Sequence, residues 1–235
     1  MEDVINKIRA ELTQHIDEKT KATSQKFFKE KIRFYGVRIP IVNKISKEYF
    51  KLIEFRPKSE IFGCCEILWQ SGILEESFIA CNWSYYLHKK YEPGDFEIFE
   101  QWIKVYVNNW ASCDTLCNHT IGTFIEMYPE YLTQLKDVAQ SANRWMRRAA
   151  AVSLIIPARK GKFLKEILEI ADILLLDKDD LVQKGYGWML KAASEANQGD
   201  IFDYVIKNKA VMPRTALRYA IEKMPVDMKR KAMEK

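Results

Sequence analysis

Glycine and proline are scarce in this sequence, nine and seven among 235 residues, and no β-branched run alternates polar and apolar over a strand's length. The stretch "VSLII", Val152 to Ile156, is the one short strand candidate, and helical periodicity flanks it. Long apolar runs are missing as well. "ILEIADILLLD" is too short and too acidic for the ~18 residues of a membrane span. The five cysteines, Cys64, Cys65, Cys81, Cys113 and Cys117, are odd in number and lack a secreted framework's spacing. With no signal peptide in view, they predict free thiols and a reducing, cytoplasmic setting.

Ligand-binding signatures are equally thin. There is no GxGxxG and no GxxxxGK[ST]; "ARKGKF" is a basic turn without the Walker spacing. "CDTLCNH" offers Cys113, Cys117 and His119, but a zinc site wants a two-residue gap and a second ligand pair, so both cysteines are expected in the core. His15 and His88 lie near lysines and are expected at the surface. No serine or cysteine sits in a nucleophile-elbow context. The reading is therefore of a protein without metal or cofactor.

What is present is helical periodicity. Val4, Ile5, Ile8 and Leu12 form one stripe, and Ile41, Val42, Ile45, Tyr49 and Ile53 another. Similar segments run over about 59–71, 74–90, 95–107, 111–127, 143–156, 163–175, 180–195, 200–208 and 214–223. Pro40 and Pro213 stand where N1 prolines belong, and Gly72 and Gly161 lie near breaks. The fold class is all-α, with a bundle and a helical-repeat solenoid as competing arrangements. A weak echo favours the solenoid: "RWMRRAAAVS", "GYGWMLKAAS" and "RTALRYAIEK" each place a basic residue two positions before an alanine, at unequal intervals. No linker divides the chain, so one domain over 1–235 is expected.

The net charge of +5 is modest, but its distribution is uneven. Residues 58 to 100 hold eight acids against three bases. Residues 141 to 165 hold seven bases, Arg144, Arg147, Arg148, Arg159, Lys160, Lys162 and Lys165, and no acid. From 201 onward nine bases face four acids. Such polarity predicts a surface able to steer a polyanion.

The stretch "NNWASCDTLC", 108–117, puts Trp110 and Asp114 one helical turn apart in a segment otherwise poor in charge. By residue type alone, Asp114 is a helix cap, a surface acid or a catalytic carboxylate, and a helical tryptophan is usually core. Trp145 precedes Arg148 by three residues, and Trp188 follows Gln183 and Lys184. Arg147 and Arg148 adjoin "AAAVSLII", so at least one must leave the apolar face.

Four segments, "FYGVRIP" at 34–40, "NNWASCD" at 108–114, "RWMRRAA" at 144–150 and "QKGYGWMLKAA" at 183–193, occur in order across essentially the whole chain. In this combination the sequence resembles the AlkD-like family of bacterial DNA alkylation repair enzymes. The resemblance implies an α-solenoid of HEAT-like antiparallel helix pairs, curved so that a concave basic face cradles duplex DNA carrying alkylated purines. It implies a monofunctional glycosylase with Asp114 as catalytic carboxylate and Trp110 and Trp188 as walls. Arg148 would contact phosphate, with Arg147 an alternative. Arg38, in a turn that approaches the backbone in relatives, and the basic neighbours Lys160 and Lys184 complete the DNA-binding set. No membrane and no obligate protein partner are implied. A non-enzymatic helical-repeat module binding DNA structure or a protein is the alternative reading of the same residues.

Overall fold

The computed structural model describes residues 2–234. Among the described residues helices are joined mostly by short turns, with one long connection between Ser24 and Ile39, and there is no strand, only an isolated bridge between Arg33 and Ile73. No helix there is long and apolar enough to cross a membrane. The chain divides into two compact units, 1–116 and 117–235.

The first unit contains α1 (Glu2–Gln14), α2 (Glu18–Ser24), α3 (Ile39–Lys51), α4 (Lys58–Gln70), α5 (Leu74–Tyr86), α6 (Asp95–Val105) and α7 (Trp110–Thr115). Helix α5 is its centre: α3, α4 and α7 all pack against it. That explains its composition. Phe78, Ile79, Ala80 and Cys81 are buried in succession and Trp83 follows after Asn82, the pattern of a helix buried on most sides rather than along one stripe. The α1 stripe buries Ile5, Ile8 and Leu12, as its periodicity predicts.

The second unit contains α8 (Gly122–Met127), α9 (Leu132–Val138), α10 (Arg144–Val152), α11 (Ile155–Arg159) and α12 (Leu164–Leu174), followed by α13 (Asp180–Ala193), α14 (Gln198–Asn208), α15 (Arg214–Ala220) and α16 (Val226–Met233). Here α13 is central, contacting α10, α11, α12 and α15. The glycines of "KGYGW" permit this closeness. A Cβ on Gly187 would stand 2.7 Å from Tyr219 Cβ and 2.8 Å from the Ala216 carbonyl oxygen, so α15 lies against bare backbone. Between the two glycines, Tyr186 is fully buried and donates its hydroxyl to the Leu175 carbonyl at 3.1 Å.

Several boundaries differ from the sequence reading. The segment 111–127 is helical throughout but winds as a π-helix over Leu116–Ile121. "VSLII" is no strand: α10 ends at Val152, a turn follows, and α11 begins at Ile155. Pro40 sits one residue inside α3, whereas Pro213 is the N-cap of α15 rather than its first residue. Helices α2, α9 and α16 are additional to the expected segments. His88 is half-buried rather than superficial, its Nδ1 2.8 Å from the Tyr85 carbonyl oxygen. All five cysteines are buried free thiols.

Candidate active site

Helix α7 presents both residues of the Trp–Asp pair. The Asn109 side chain accepts the Ser112 N–H at 2.9 Å and caps the helix, so the capping role belongs to Asn109 and not to Asp114. Trp110 is then the first helical residue. Asp114 follows one turn later and is only 9% exposed, which also removes the surface-acid reading. The π-turn begins two residues further on, a local widening that often marks functional positions.

The six tryptophans sort into two groups. Trp69, Trp83, Trp102 and Trp145 are buried core residues. Trp110 and Trp188 are half-exposed, and these are the two that the resemblance picks out. They are held differently. The Trp110 Nε1–H donates to the Phe27 carbonyl at 3.1 Å, and its ring stacks on Phe28 with centroids 5.4 Å apart. Trp188, on α13, has no hydrogen-bond or ring partner among the described residues.

Arg38 caps the start of α3 by position alone, without a side-chain hydrogen bond, and is 66% exposed, 3.9 Å from Asp17. The turn that carries it is built on a buried carboxylate. Glu75 accepts the backbone N–H groups of Tyr35, Gly36 and Val37 at 3.0, 2.8 and 3.0 Å. Beside it Glu76 pairs with Arg9 and accepts the Tyr35 hydroxyl at 2.8 Å. Gly36 has φ +93° and lies against Lys21, so a side chain there would be both strained and obstructed. The acidic stretch is accordingly no uniform acidic surface. Glu75, Glu76 and Asp95 are buried, and Glu66 accepts from Trp102 Nε1 and the Tyr106 hydroxyl.

The basic run is likewise spent largely on internal partners, supplied by acids distant in sequence. Arg147 Nε donates to Asp177 at 2.6 Å, and its Nη1 to the Ser141 and Ala142 carbonyls at 3.0 and 2.9 Å. Arg148 is 5% exposed, donates to the Leu181 carbonyl and lies against Gly185, so its charge ties α10 to the first turn of α13. Lys160 and Lys162 converge on Glu126 at 2.8 and 3.0 Å. Burial alone would push the Glu126 carboxyl up; the two lysines outweigh it and hold the carboxyl below its ordinary range. Lys184 pairs with Asp180 one turn away at 2.8 Å. Lys160 stays 53% exposed and Lys184 35%, against 22% for Arg147, so the lysines can exchange partners at little cost while Arg147 cannot.

Sequence reasoning passed over Glu75, Glu76, Gln25 and Phe28. The only signal was the pair "EE" inside an otherwise apolar helix; nothing in "SQKFF" marks contact with a tryptophan 82 positions away, from Phe28 to Trp110.

An all-α chain of short helices packed about a central buried helix in each unit fits the helical-repeat class. A family model for DNA alkylation repair enzymes matches residues 8–224, and the chain belongs to that family. Among solved structures, a chain described as a predicted DNA alkylation repair enzyme from Enterococcus faecalis aligns with a TM-score of 0.80. It shares 17% identity and the alignment covers 90% of this chain and 98% of that one, a likeness of fold. No curated protein matches.

Proposed function

We propose that the protein is a monofunctional DNA glycosylase that hydrolyses the N-glycosidic bond of N3- or N7-alkylated purines in duplex DNA. The observation that carries the reading is the sorting of the tryptophans: only Trp110 and Trp188 leave the core, and a buried carboxylate, Asp114, lies one turn from Trp110.

The chemistry suits one carboxylate. An N3- or N7-alkylpurine already carries a positive charge, so it departs as a neutral base without a general acid. Positive charge then develops on the deoxyribose. Asp114 stabilises that charge and orients or deprotonates the attacking water, most strongly where water is otherwise excluded. A second acid, as sugar hydrolases need, has no task here. Trp110 and Trp188 offer electron-rich faces to the cationic sugar. Phosphates are held by Arg38, Lys160, Lys184 and Arg148, with binding that weakens steeply as salt rises. Arg147 is assigned to the scaffold. No lysine takes part in a Schiff base, so base release leaves the strand intact.

The test is single-turnover release of N7-methylguanine from duplex DNA by the wild type and Asp114→Asn. The variant is expected to lose about 10²–10³-fold in rate while binding DNA almost unchanged. Equal rates would remove Asp114 from the mechanism. Binding without release by either protein would favour a DNA-binding module instead.

A further inference from the structure

The two half-exposed tryptophans differ in one respect that the proposed reaction does not require: one is clamped and the other is not. The clamp comes from a strap, residues 25–37, laid along the first unit. At one end Tyr35, Gly36 and Val37 are fixed by Glu75, and Arg33 is fixed by its carbonyl, which accepts the Leu74 N–H at 2.9 Å, and by its guanidinium, which donates to the Ser71 carbonyl at 3.1 Å. At the other end Gln25 folds the strap upon itself. Its Nε2 donates to the Glu30 carbonyl at 2.8 Å, and its Oε1 accepts the Ile32 N–H at 3.4 Å. What this folded end holds is Trp110, through the Phe27 carbonyl and the Phe28 ring. The Phe27 side chain is no anchor, since it is 70% exposed.

We infer that the strap is a positioning device, in which Phe28 and the Phe27 carbonyl fix the plane of the Trp110 indole for the reaction. The inference rests on the proposed role of Trp110. A half-exposed indole has two side-chain torsions to restrain. A hydrogen bond to Nε1 fixes one edge and a stacked ring fixes the plane, and together they leave one orientation. Reacting groups must be held within about 0.5 Å and 10–20°, and displacement by 1 Å costs about 10²-fold in rate. Among the described residues Trp188 has no such partners, so this restraint is particular to Trp110. Phe28 is thus a positioning residue; it need not touch DNA.

The experiment uses the full chain labelled with 5-fluorotryptophan, read by ¹⁹F NMR, with the Trp110 resonance assigned through Trp110→Phe. Phe28→Ala is expected to shift and broaden that resonance and leave the other five in place. It should lower single-turnover release of N7-methylguanine about 10- to 100-fold, with DNA affinity within about twofold. Phe28→Tyr should restore both resonance and rate. Phe28→Leu, which keeps apolar bulk without the ring, replaces the alanine variant if that does not fold. An unmoved resonance, or a moved resonance with a wild-type rate, overturns the positioning role alone. A wild-type protein that releases no base overturns the proposed function, and the catalytic part of this inference falls with it.

Discussion

Replacing Arg147 by alanine separates scaffold from DNA contact. The resemblance leaves Arg147 and Arg148 as alternatives for a phosphate, and the internal hydrogen bonds of Arg147 make its scaffold role testable. Arg147 spends Nε and Nη2 on the two oxygens of Asp177, at 2.6 and 3.4 Å, and Nη1 on two backbone carbonyls. The Asp177 side chain is 8% exposed, so truncating the arginine leaves a carboxylate stranded. Breaking such a pair costs about 3–5 kcal/mol. Asp177 retains one donor, the Asp179 N–H at 2.8 Å, which places the loss near the lower end, about 3 kcal/mol. For a chain of this size that is about 6–12 °C in Tm. Thermal unfolding measures it, and the double variant Arg147→Met/Asp177→Leu should recover most of the loss, because neither charge is then left alone. DNA affinity of folded Arg147→Ala should keep the wild-type salt slope. A Tm within about 2 °C of wild type, joined to a salt slope reduced by about one, would refute the assignment and make Arg147 a phosphate ligand.

Gly187→Ala should destabilise the chain by about 1–3 kcal/mol or more, since the added carbon meets the α15 backbone at 2.8 Å; unchanged urea unfolding would mean the helices part freely. Glu126→Gln should tighten DNA binding about two- to fivefold at low salt and steepen its salt dependence, by releasing Lys160 and Lys162 to phosphate; unaltered binding would take both lysines off the DNA path. The same carboxylate predicts a pH effect. Its folded pKa lies below the unfolded value of about 4.3, so its contribution is complete above that value and lost as pH falls through the folded pKa. Lys160→Ala/Lys162→Ala should flatten the stability curve in that acid window, and an unchanged curve would show that the lysines do not set it.

Much of the fold was legible because burial writes a period into the sequence. The α1 and α3 stripes and the long α13 read directly as helices. Helix α2 escaped because it buries nothing, and α16 because it buries only Ala232; without an apolar face there is no period to find. The break between α10 and α11 was hidden for the opposite reason, since Val152, Leu154 and Ile155 are all buried and apolarity runs straight through the turn. The candidate site was legible only as a set of residues. Composition left Asp114 open between cap, surface and catalysis, and it took the Asn109 cap and the burial of Asp114 to remove the first two. Glu75 was illegible because its partners are backbone N–H groups, which carry no side-chain signature.

Charge was the least legible property, and the reason is physical. A run of seven bases without an acid reads as a basic surface only if its partners are sought nearby in sequence. Folding brings Asp177, Asp179, Glu126 and Glu195 to five of the seven, Lys165 pairs with Glu169 one turn along its own helix, and Arg148 is buried at the Leu181 carbonyl. What matters for a polyanion is therefore how cheaply each pair opens. Arg147 is locked by a buried carboxylate; Lys160 and Lys162 share one carboxylate between two exposed ammonium groups, so either can leave while the other keeps Glu126 neutralised. If phosphates draw on the paired bases of this run, they draw first on those two lysines, while Arg147 acts chiefly by holding α10 to the turn before α13.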